Sequence, residues 1–146
     1  MNSKRRIFIL CLLLITGSSA FLFAKARLER GTHYLISSNR GQITANMHNP
    51  HQGRITLTEV DSNVAHFPIR GEATKIETRS FFASWPEFDP RASMTFISDK
   101  NEMHLELTLS KPYYDRAKQL MTFDIESKSS LTPFHEIYDV KLYIHE

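Results

Sequence analysis

Thr78-Arg79-Ser80-Phe81-Phe82-Ala83-Ser84-Trp85-Pro86-Glu87-Phe88-Asp89-Pro90-Arg91-Ala92 decides how this chain of 146 residues is read. The stretch holds the only tryptophan, three of the ten phenylalanines and two of the six prolines. Phe81 and Trp85 are four apart and fall on one helical face, with Phe82 beside them. Thr78 is a helix-capping residue type, and Thr74-Lys75-Ile76-Glu77 also fits a capping box, so the helix has two alternative starts. Pro86 disfavours a helical conformation for Trp85 and ends it. The spacing therefore predicts one short helix near 75–85. Phe81, Phe82, Trp85 and Phe88 read as an aromatic plug, each ring burying on the order of 150–250 Å². The competing use of such rings is a platform for stacking a ligand.

Outward from the plug, the chain breaks into short runs of period-two alternation separated by turn residues. Upstream these are 33–37, 43–48, 54–60 and 64–69. Ser38-Asn39-Arg40-Gly41 and Asn49-Pro50-His51-Gln52-Gly53 separate the first three as turn and loop. Downstream they are 93–98, 103–109, 120–127 and 137–145. Asp99-Lys100-Asn101-Glu102 reads as a hairpin turn. The cleanest run sets Met103, Leu105, Leu107 and Leu109 inward against His104, Glu106 and Thr108. About eight strands at this spacing predict an all-β fold, an antiparallel sandwich of Ig-like or jelly-roll-like type. No long helix supplies a parallel crossover.

The N-terminus reads as an export signal. Lys4-Arg5-Arg6 precedes an apolar run from Ile7 to Ile15, and Ser18 and Ala20 fit a small-residue cleavage site. Ala24-Lys25-Ala26 offers a second cut. The alternative is an uncleaved inner-membrane anchor over residues 7–24, just long enough to span a bilayer. In both cases the remainder lies in the periplasm or beyond. The expected organisation is a signal segment at 1–20, a leader at 21–32 and one domain at 33–146. Without residues 1–20, fifteen basic residues face sixteen acidic ones. That balance gives no electrostatic footprint for nucleic acid. The sole cysteine, Cys11, falls inside the signal, so the domain holds together without disulfides.

One resemblance rests on ordered motifs. Thr78, Phe81 and Trp85 fit a Thr-x-x-Phe-x-x-x-Trp helix, and Phe88, Asp89 and Pro90 match the residues of a Phe-x-Asp-Pro loop, with Phe88 and Asp89 adjacent here. Leu109, Pro112, Tyr114 and Asp115 fit a Leu-x-x-Pro-x-Tyr-Asp segment, and Lys141-Leu142-Tyr143-Ile144 fits a closing strand. Over roughly Ile55 to Ile144 the chain resembles a family of small exported bacterial all-β proteins of uncharacterised function. The family's Asp-Arg-Pro turn is replaced here by Ile69-Arg70-Gly71. The resemblance implies a secreted or envelope-attached β-sandwich and implies no activity.

Candidate chemistry is sparse. His48 and His51 flank a loop without a third ligand at helpful spacing, so no metal is expected. Nucleophile-elbow, phosphate-loop and HExxH motifs are absent, and no catalytic residue, cofactor or cofactor-binding residue is assigned. A hydrolase would need Asp89, Asp115 or His135 to meet Ser84 or Ser93 in space. Tyr113 and Tyr114 with Lys111 and Arg116 form the best aromatic-basic cluster, a candidate contact surface for protein or glycan. The expected function is a non-catalytic exported or envelope-associated module acting through protein contacts, such as an accessory component of an envelope assembly. The alternatives are a small extracytoplasmic hydrolase and a glycan-binding protein. The expected partner is an envelope protein docking along an edge strand, the last strand being the natural candidate. The membrane enters only through an uncleaved N-terminal segment.

Overall fold

The computed structural model describes residues 33–145, and the expected export signal, cleavage sites and leader lie outside the described residues. Eight strands and one helix follow in order: β1 (His33–Ala45), β2 (Gln52–Val60), β3 (Asn63–Phe67), β4 (Thr74–Glu77), α1 (Thr78–Ala83), β5 (Arg91–Ser98), β6 (Asn101–Asp115), β7 (Leu120–Glu126) and β8 (Phe134–His145). All the pairings are antiparallel. The all-β class stands, but the two facing sheets of a sandwich do not form. A single sheet runs β2-β7-β6-β5-β8-β1-β3-β4, and β2 pairs back onto β1. Six strands (β1, β2, β7, β6, β5 and β8) therefore close a ring, with the β3–β4 hairpin continuing from it.

Local irregularities bend the sheet enough to close. β8 carries an extra residue where Gly41 and Ile43 of β1 face Ile137 and Phe134, and another where Thr95 and Ile97 of β5 face Lys141 and Tyr138. β6 carries a third around Lys111 and Pro112. Asp139 and Lys111 have φ of 49° and 48° at these places. Such bulges kink a strand and increase its twist. Gly41 permits close approach of β1, β2 and β8, since a Cβ there would lie 2.8 Å from the Thr56 carbonyl oxygen.

Ser38–Gly41 does not turn the chain. It lies inside the 13-residue β1, where β2 and β8 take up its backbone groups on both sides. Tyr113-Tyr114-Asp115 forms the end of β6. The count of eight survives because β1 merges two expected strands while β4 is added.

Alternation fills the ring. Leu107, Leu109, Met121, Phe123, Ile125, Met94, Phe96, Val140, Leu142 and Ile144 are all buried in one cluster. Met103 and Leu105 are only half-buried. A smaller cluster of Leu35 and Tyr143, with Ala65 and Phe67 against it, lies apart from this core.

Candidate functional site

The plug is built by a helix shorter than its expected span. Thr74–Glu77 pairs with β3 from Asn63 to His66, so those residues are strand and form no capping box. Thr78 is not the cap either. Its hydroxyl donates to the Asp61 carbonyl at 2.9 Å and its N–H to the Ser62 carbonyl at 2.9 Å, fastening the helix start onto the β2–β3 junction. Glu77 occupies the cap position with no side-chain capping bond. Ser84 and Trp85 close the helix with N–H bonds to the Phe81 and Phe82 carbonyls.

Three of the four expected plug residues pack as anticipated. Phe81 is buried and lies 4.9 Å from the Tyr34 ring, centroid to centroid. Phe82 and Trp85 are half-buried and lie 5.8 Å and 5.5 Å from the Phe123 ring. Phe88 is a correction: it is 82% exposed. It follows Pro86 on the segment that leaves the helix, so the helical spacing that unites Phe81 with Trp85 no longer governs it.

The expected contact cluster is divided by strand alternation. Tyr113 points out and is 54% exposed, whereas Tyr114 turns in and stacks on Phe82 at 5.5 Å. Lys111 Nζ sits 3.5 Å from Asp124 Oδ2, and Arg116 Nη1 sits 3.7 Å from Glu77 Oε1. The two tyrosines therefore make no common platform.

A polar row missed by sequence reading crosses four strands instead. Ser93 on β5 is fully buried and donates its hydroxyl to Glu106 Oε2 on β6 at 2.7 Å. Having one proton, that hydroxyl must accept from His145 Nε2 on β8, 3.3 Å away. His145 in its neutral form then has a bare Nδ1, which accepts from His33 Nδ1 on β1 at 3.0 Å. Glu106 Oε1 takes a further bond from His104 Nε2 at 3.1 Å. With His145 neutral, donors run one way, from His33 through His145 and Ser93 to Glu106. Next to this row, burial and the charges of Asp139 and Glu102 push the Tyr143 phenol up to about 12. A nucleophilic serine surrenders its proton to a histidine base. Here the proton faces a carboxylate and the oxygen is inaccessible, so the row chiefly ties β1, β8, β5 and β6 together. Its sequence signal was the outward alternation of Ser93, His104 and Glu106, which reads equally well as a solvated face.

His135, Asp115 and Asp89 occupy three separate places. His135 lines an open groove of about 280 Å³ with Arg40, Thr56 and Tyr138. Tyr138 donates to Glu136 there at 2.9 Å, and that bond and the carboxylate's charge raise its pKa. Asp115 accepts from the Lys118 N–H at the β6–β7 turn, and Asp89 stands in the loop before β5. A second groove, about 430 Å³, is lined by Arg54, Lys111, Asp124 and Glu126, whose charges offset one another. His48 is exposed, and the ring of His51 bonds the Ser127 carbonyl at 3.2 Å. Among the described residues no three His, Cys, Asp or Glu side chains are grouped to hold a metal, and no helix is long and apolar enough to cross a membrane.

The edge strand is also relocated. β8 pairs with β5 on one side and β1 on the other, so it is interior to the sheet. Among the described strands only β4 has a single neighbour, β3. Comparison with protein-family models, with curated proteins and with solved structures finds no match for this chain.

Proposed function

We propose that this chain is an exported, envelope-associated, non-catalytic β-module that works by protein contact, taking a partner's strand along β4. The observation that carries the reading is that β4, alone among the described strands, has only one neighbouring strand. An open edge offers unpaired backbone donors and acceptors as a template for another chain. The flanking segments add exposed apolar side chains, Ile69 before β4 and Phe88 after α1. Export rests on the basic and apolar N-terminal sequence and agrees with the family resemblance.

The hydrolase alternative draws on the 3.3 Å contact between Ser93 and His145. It is the weaker reading, because that hydroxyl is fully buried and bonded to Glu106. The two separate under affinity purification from solubilised envelopes with mass spectrometry. A reproducible protein partner is expected, lost with Lys75→Pro and retained with Ser93→Ala. Recovery of a free monomer with no reproducible partner would sink the contact reading.

A further inference from the structure

Resting on the reading of β4 as the contact edge, we propose that the strand it takes is β4 of a second copy of this chain. The two strands run antiparallel across a twofold axis at Ile76. Along Thr74-Lys75-Ile76-Glu77, Lys75 and Glu77 are exposed, while Ile76 is half-buried against the core. Strand alternation puts the two charges on the outer face together and Ile76 on the other. When two such strands extend one sheet with outer faces aligned, each residue meets one from the same face.

Centring the pair on Ile76 sets Lys75 opposite Glu77 of the second copy, and symmetry makes this contact twice. Centring it on Lys75 sets lysine against lysine. Centring it on Glu77 sets glutamate against glutamate. Opposite charges facing across strands stabilise a pair and like charges destabilise it. Only the Ile76-centred register is matched, so the sequence of β4 is complementary to itself. The contact is isologous and closes at two copies. Glu77 already lies 3.7 Å from Arg116, and its carboxylate has further acceptor sites for a second cation.

Sedimentation equilibrium of the full-length chain in mild detergent, with Lys75→Glu and Glu77→Lys, tests the proposal. Wild type should show a concentration-dependent dimer. Each variant replaces both attractive contacts with repulsive ones and should weaken the dimer by about tenfold or more. An equimolar mixture of the two variants restores opposite charges across the axis and should recover the wild-type constant, which also shows that both variants are folded. A wild type that stays monomeric to about 100 μM overturns self-pairing, as does a dimer indifferent to both variants. Where wild type is monomeric, loss of an envelope partner with Lys75→Pro overturns only the self-pairing. An envelope partner retained with Lys75→Pro overturns the contact edge as well.

Discussion

Single side chains carry sharply unequal weight here. Trp85 lies against Phe82 and Phe123 but is only half-buried, so Trp85→Ala should cost about 2–4 kcal/mol, near the lower end for a large aromatic. Phe88→Ala, at an 82% exposed position, should stay within about 0.5 kcal/mol of wild type. Urea denaturation of both variants checks the contrast. Ser93→Ala deprives Glu106 of a donor and His145 of an acceptor, and should cost about 1–3 kcal/mol. Tyr143 gives a pH signature. Its folded pKa is raised to about 12 from an ordinary 10, so the fold favours the neutral phenol. That stabilisation is complete below pH 10 and is lost as pH rises through 12, a difference of roughly 3 kcal/mol. Tyr143→Phe should abolish this alkaline loss, measured as denaturation midpoints at about pH 9 and about pH 11.5.

Among the elements, the β5–β6 hairpin is joined by Asp99 and Lys100, with φ of 47° and 66°. Both residues are left-handed, as the mirror-image turn of a two-residue hairpin requires. Aspartate tolerates this conformation, lysine adopts it at a steric cost, and glycine would adopt it without one. Lys100→Gly is expected to raise stability by about 0.5–1 kcal/mol, read as a higher denaturant midpoint with unchanged slope. The β4–α1 junction shows the opposite balance. Thr74-Lys75-Ile76-Glu77 has the residues of a capping box, yet pairing with β3 claims its backbone. The helix is accordingly only six residues long, held by Thr78 and its buried aromatics rather than by propensity.

At the scale of the whole molecule, closure governs behaviour. The ring joins β1 to β8, the two ends of the described chain, and the polar row from His33 to Glu106 spans the same seam. The expected compartment rests on the N-terminal sequence alone. Intact mass of protein recovered from envelope fractions is expected to give an N-terminus at Phe21 or Arg27. An N-terminus at Met1 would instead identify residues 7–24 as a retained anchor.

Strand alternation, turn residues and the aromatic spacing of Phe81 and Trp85 were legible without coordinates, because each depends on neighbours a few residues away. They were enough to determine an antiparallel all-β domain with one short plugging helix and an inward row through Leu107 and Leu109. Closure was not legible, since whether β2 meets β1 depends on bulges in β6 and β8 that bend the whole sheet. The same non-local pairing made β8 an interior strand, left β4 as the edge and turned a capping box into strand. It also gathered Ser93, Glu106, His145 and His33, up to 112 positions apart, into one row. Hydrogen bonds between distant strands decided these points, because a residue's own sequence shows which face it occupies but not what stands beside it.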